Sequence, residues 1–178
     1  MPSNDRSNAR GRGRGARTTS GSGVKSASPG GDAKTIEFLN LILKNELTAI
    51  NQYFLHSRML ANWGVSELSK KEYEESVDEM KHSDSLIQRI LFLGGLPNLQ
   101  YLDKLLIGEN VEEVIACDLK FEEKAIADLR NAIAYAEQAK DYGSRMLYEG
   151  ILKSEEDHID YLSREDARGL SSDRQPAY

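Results

Sequence analysis

Apolar residues recur at every third or fourth position over four long stretches of the chain, and this spacing predicts four amphipathic helices. The first stripe runs Ile36, Leu39, Leu43, Glu46, Ile50, Tyr53, Ser57, Leu60, and the second Ser76, Glu79, His82, Leu86, Ile90, Leu93. The third runs Val111, Ile115, Asp118, Glu122, Ala125, Leu129, and the fourth Tyr148, Ile151, Glu155, His158, Leu162. Beyond Gly30, Pro occurs only at Pro97 and Pro176. Gly64, Gly94, Gly95, Gly108 and Gly143 fall at the joints, and only Gly150 lies inside a stretch. The predicted helices span about 33–62, 69–93, 110–139 and 141–164. A capping box of Ser69 with Glu72 opens the second, and Asn110 with Glu113 opens the third.

Four helices of similar length bury their stripes most economically as a bundle, so the fold class is all-α. Short turns join the first pair and the last pair, which makes each an antiparallel hairpin. Between the second and third helices, Gly94 to Gly108 contains Leu96, Pro97, Leu99, Leu102, Leu105 and Leu106. That segment is long and apolar enough to run the length of the bundle and cross from one end to the other.

A length of 178 residues suits one domain, and 39% hydrophobic residues suffice for a core. No run of about 18 apolar residues exists to span a bilayer. The single cysteine, Cys117, excludes an internal disulfide framework and a multi-cysteine metal site. It fits a reducing compartment, and the expected localisation is cytoplasmic. The net charge of −6 is an average of two unlike pieces. Residues 1–34 hold seven basic and two acidic residues, a net of +5, which leaves 16 basic and 27 acidic residues, −11, for the rest. The first segment has no Leu, Ile, Phe, Tyr or Trp to bury, and 1–32 reads as a disordered basic arm rich in Arg, Gly and Ser. Residues 33–165 form the bundle, and 166–178 a polar tail.

Every inward stripe carries a Glu midway along it, and two carry a His one turn later. Four carboxylates converging in one interior cost several kcal/mol per ion if left unpaired, and Lys81, Lys120 and Lys153 step onto outer faces. Two divalent metal ions would balance them, with the two imidazoles as nitrogen donors. Four carboxylates and two His suit iron or manganese better than structural zinc or calcium. Glu79-x-x-His82 and Glu155-x-x-His158 involve two of only three His in the chain, and Glu46 and Glu122 complete the set of candidate metal ligands. A Glu from each of two helices and Glu-x-x-His from each of the other two is the arrangement of ferritin-like di-iron and di-manganese bundles.

At these residues the chain also resembles the bacterioferritins. The likeness is carried by Asn45-Glu46-Leu47-Thr48-Ala49-Ile50-Asn51-Gln52-Tyr53-Phe54, by Asp78-Glu79-Met80-Lys81-His82, by Ile90-Leu91-Phe92-Leu93-Gly94-Gly95-Leu96-Pro97-Asn98-Leu99-Gln100 and by Glu155-Glu156-Asp157-His158-Ile159-Asp160. It covers about residues 33–165 and implies a ferritin-like four-helix bundle with a long crossover. It further implies a subunit of a hollow homo-oligomeric cage, built from dimers into a 24-subunit shell. Such a cage oxidises Fe(II) with dioxygen or hydrogen peroxide at two irons per subunit and stores the Fe(III) mineral. By position the resemblance makes Glu46 and Glu122 terminal ligands, Glu79 and Glu155 bridging ligands, and His82 and His158 ligands to one iron each. Tyr53 matches a family tyrosine beside the centre, with a redox or hydrogen-bonding role. Met80 faces away from the centre, and the resemblance makes it the axial ligand of a haem b shared between two subunits, one Met from each. His56 lies about 80° round the helix from Glu46 and reads as an outer-face or interface residue.

The chain departs from the family pattern in three places. After Arg164 it is too short and too polar for the usual fifth helix, Glu74 stands where some members place an inner-surface His, and the basic arm is additional. The arm's Arg10-Gly11-Arg12-Gly13-Arg14-Gly15-Ala16-Arg17 supports an alternative reading as a DNA-associated iron-sequestering protein. The missing fifth helix supports another, a di-metal oxidase that forms no cage.

Overall fold

A computed structural model describes residues 30–168. The expected disorder of the basic arm, its reading as a nucleic-acid contact and the absence of a fifth helix lie outside the described residues. Those residues form four helices and no strand: α1, Ala33–Asn62; α2, Ser66–Phe92; α3, Val111–Gln138; α4, Tyr142–Ala167.

Local chemistry sets most of these ends. Asp32 caps α1 by accepting from the Thr35 backbone N–H at 2.9 Å, Asn110 caps α3 at Glu113 and Asp141 caps α4 at Ser144. Past α1, Gly64 takes φ +81° while its N–H bonds the Ala61 carbonyl and that of Val65 bonds Leu60. Gly94 closes α2 the same way, a left-handed cap in which only glycine is unstrained. The expectation at the start of α2 is corrected. The helix begins three residues before Ser69, at Ser66, with Val65 as a cap that lends no side-chain bond. Glu72 therefore lies in the second turn, fully buried, rather than in a capping box.

Two apolar clusters hold the bundle ends. Leu39, Leu43, Leu86, Ile90, Leu129, Ala132, Tyr148 and Ile151 pack at one, and Leu60, Val65, Leu68, Val111, Ile115 and Leu162 at the other. The start of α1 thus meets the end of α2, the end of α3 and the start of α4, so each adjacent pair in contact is antiparallel. The segment from Leu93 to Asn110 carries the chain from the first cluster to the second, the lengthwise crossover expected from its length and apolarity.

A polar ladder docks that crossover. Every fourth residue of α1 from Asn40 to His56 reaches it: Asn40 accepts from the Asn98 N–H at 2.7 Å, and Lys44 pairs with Asp103 at 2.8 Å. Thr48 accepts from the Asp103 N–H, Gln52 from the Leu106 N–H, and His56 from the Gly108 N–H. One i, i+4 row of a helix thereby satisfies backbone donors of a segment that has no ladder of its own.

His56 is thus no outer-face residue but is fully buried beneath the crossover, with Nδ1 2.9 Å from both oxygens of Asp118. Because the Gly108 N–H can only donate, Nε2 must keep its lone pair, so His56 is neutral with its proton on Nδ1. Burial pushes its pKa from 6.5 down to about 4, against the pull of the Glu72 charge. A base with a depressed folded pKa contributes stability that is present above pH 6.5 and lost as pH falls to about 4, worth about 3 kcal/mol over that window. His56→Gln can keep both hydrogen bonds without titrating. The wild-type urea midpoint should therefore fall more steeply than the variant's between pH 6.5 and 4; parallel profiles would show that the tautomer is wrongly assigned.

Candidate metal centre

Between the two clusters the interior turns acidic. Glu46 of α1, Glu79 of α2, Glu122 of α3 and Glu155 of α4 are each no more than 2% exposed. Among the described residues their ion-pair partners are only the two imidazoles of the Glu-x-x-His pairs. His82 Nδ1 lies 3.0 Å from Glu79, 3.1 Å from Glu46 and 3.5 Å from Glu155. His158 Nδ1 lies 2.8 Å from Glu122 Oε1, which also accepts the Tyr53 hydroxyl. Tyr53 is fully buried, its ring edge-on to His158 with centroids 5.2 Å apart.

The donor atoms fall into two overlapping groups. One holds Glu46, Glu79, His82 and Glu155, the other Glu79, Glu122, Glu155 and His158, and within each the ligand atoms lie inside 4.8 Å of one another. Glu79 and Glu155 belong to both. All six residues named from the sequence meet here.

The electrostatics call for cations. Burial, with repulsion from Glu155, raises the Glu46 pKa; burial and Glu46 raise that of Glu79; burial, Glu79 and Glu122 raise that of Glu155. Burial works against a charge on His82, but the adjoining carboxylates of Glu155, Glu46 and Glu79 outweigh it and push the imidazole up to about 12. Burial, followed by the Glu122 charge, holds the Tyr53 phenol well above its ordinary value, so it donates a hydrogen bond rather than carrying charge. Glu155 Oε1 and His158 Nε2 are buried with no hydrogen-bond partner. Four carboxylates and two imidazoles, all but one deeply buried and partly unsatisfied, are a donor set that two divalent ions would complete.

Met80 is not in this cluster. It stands 56% exposed on the far side of α2, on a row with the exposed Tyr73 and Leu91 and the half-buried Val77 and Ile87. Phe54 of α1 lies beside that row, its ring 6.4 Å from that of Tyr73.

Sequence reasoning missed two buried groups near the centre, His56 and Glu72. For Glu72 a signal existed, since it precedes Glu79 by seven residues and so shares its face of α2.

Fold and donor set together define a ferritin-like four-helix bundle with groups of possible metal ligands at its centre. Residues 36–167 match the ferritin-like domain. Over 132 residues, 74% of this chain, it is 48% identical to bacterioferritins of Rhodobacter capsulatus and Brucella melitensis, covering 82% of each. It is 44% identical to that of Mycobacterium leprae, covering 83% of it. The chain belongs to the bacterioferritin family, a family of iron-storage proteins, and its carboxylate and imidazole cluster is compatible with a di-iron site. Among the described residues no helix is long and apolar enough to cross a membrane.

Proposed function

We propose that the chain is a ferroxidase subunit that oxidises Fe(II) and stores the resulting Fe(III) in a cytoplasmic cage of 24 copies. One observation carries this reading: Glu79 and Glu155 contribute donor atoms to both groups, so two Fe(II) ions can share them. Glu46 with His82 then holds one ion, and Glu122 with His158 the other. Each Fe(II) gives up one electron, and dioxygen or hydrogen peroxide takes the pair. Tyr53 keeps its proton and orients Glu122 through its hydroxyl. The −11 charge from residue 35 onward favours the entry of cations. Anaerobic loading with Fe(II), followed by air, tests the assignment: rapid Fe(III) absorbance supports it, and a rate no faster than Fe(II) in buffer sinks it.

Haem b is the second cofactor we propose, bound between two copies with Met80 of each on the iron. The residues present fit it: a thioether exposed among apolar neighbours on an uncovered helix face. Bound haem would supply one-electron redox chemistry. Protein reconstituted with haem b should show the bands of a methionine-ligated haem and lose them in Met80→Leu; identical spectra for the two would exclude this ligand.

A further inference from the structure

Glu72 has no part in the centre as described, yet it is fully buried and neither of its carboxylate oxygens has a hydrogen-bond partner. His158 presents a matching orphan. Its Nε2 is buried and unpartnered, and Glu72 Oε1 stands 4.0 Å from it. The other ring nitrogen, Nδ1, points into the donor group, 2.8 Å from Glu122 Oε1.

An imidazole that offers Nδ1 to a metal carries its proton on Nε2, and that N–H needs an acceptor. For His82 water can serve, because 19% of its side chain is exposed. His158, buried completely, is closed to bulk solvent. Glu72 sits on the same face of α2 as Glu79, about 10 Å along the helix, with its carboxylate facing the Nε2 edge of the His158 ring.

We infer that Glu72 is the positioning residue of His158: its carboxylate accepts Nε2–H and so fixes the tautomer and ring orientation that leave Nδ1 free for metal. This rests on the reading of the six residues as a di-metal centre. The two halves of that centre then differ in kind, one imidazole held by solvent and the other by a buried carboxylate.

The experiment uses full-length wild type, Glu72→Leu and Glu72→Gln, freed of metal by chelation and titrated with Co(II) by calorimetry and d–d absorption. Wild type should take up two Co(II) per subunit. In the Leu variant one of the two steps should weaken by roughly ten- to a hundredfold and its d–d band should change, while the other step stays put. Glutamine still presents a carbonyl oxygen to Nε2–H and should restore most of the loss. Two unchanged steps in the Leu variant, or equal loss in the Leu and Gln variants, overturn the role of Glu72 and leave the centre standing. A wild type that binds no Co(II) overturns the centre and the inference with it. Glu72→Met, closer in shape to glutamate, reads the same step if the Leu variant does not fold.

Discussion

Fe(II) oxidation by Glu79→Ala is expected to fall more than about a hundredfold below wild type, the upper end of what losing an outer-shell partner costs a metal site. Glu79 is one of the two carboxylates common to both donor groups, so this one substitution removes an oxygen from each. Glu46→Ala or Glu122→Ala takes a donor from one group only, and each should leave one ion tightly held. Burial and the neighbouring Glu46 charge both raise the Glu79 pKa, so its removal relieves that cost, and His82, which loses Glu79 as a partner, keeps Glu46 at 3.1 Å. Metal-free Glu79→Ala should therefore melt no lower than wild type. Stopped-flow absorbance after anaerobic loading and mixing with air reads the rate. Glu37→Ala, on the exposed face of α1, serves as the control that should leave it unchanged. A Glu79→Ala rate within a few-fold of wild type would remove the shared-carboxylate centre from consideration.

The centre was legible in the sequence because its residues violate a rule that the helices otherwise obey. A Glu midway along an apolar stripe is conspicuous when that stripe must face other helices, and four helices of like length place four such residues at one height. α1, α3 and α4 begin at side-chain caps visible as Asp32, Asn110 and Asp141. α2 does not, and the error followed from that. Its entry is set by backbone bonds around Gly64 and Val65, so a Ser-x-x-Glu pattern inside the helix imitated a cap and disguised Glu72 as a surface residue.

His56 shows a different limit. Its angle from Glu46 is a sound measure of direction on an isolated helix, and it does point away from the cluster of carboxylates and imidazoles. The direction is nevertheless not solvent, because the crossover covers that flank of α1 and supplies the Gly108 N–H that His56 accepts. Helical periodicity reports what a helix turns toward its bundle and is silent about an irregular segment laid across its back. The row Asn40, Lys44, Thr48, Gln52, His56 carries the missing information, since three of its members are buried polar residues on one ridge. That is the signature of a backbone to be satisfied rather than of water.

Metal removal should have the largest effect on stability. Without cations, the interior of this bundle holds four carboxylates against two imidazoles, with orphan atoms at Glu155 and His158. Metal binds the folded donor set and not the dispersed chain, so each site filled at about a hundred times its Kd adds roughly 2.7 kcal/mol, and two sites about 5 kcal/mol. For a chain of this size that corresponds to a rise in Tm of about 10 to 20 °C. Calorimetric melting of chelator-treated protein with and without Mn(II), which does not oxidise during the scan, measures the difference. The same scan on Glu79→Ala should show a metal-free Tm at or above wild type and little response to Mn(II), because the same substitution relieves the repulsion and dismantles both sites. Stability and metal response would then move in opposite directions within one variant. A wild-type Tm indifferent to Mn(II) would mean that the buried acids are neutralised by their own protons, and that no ion completes the centre.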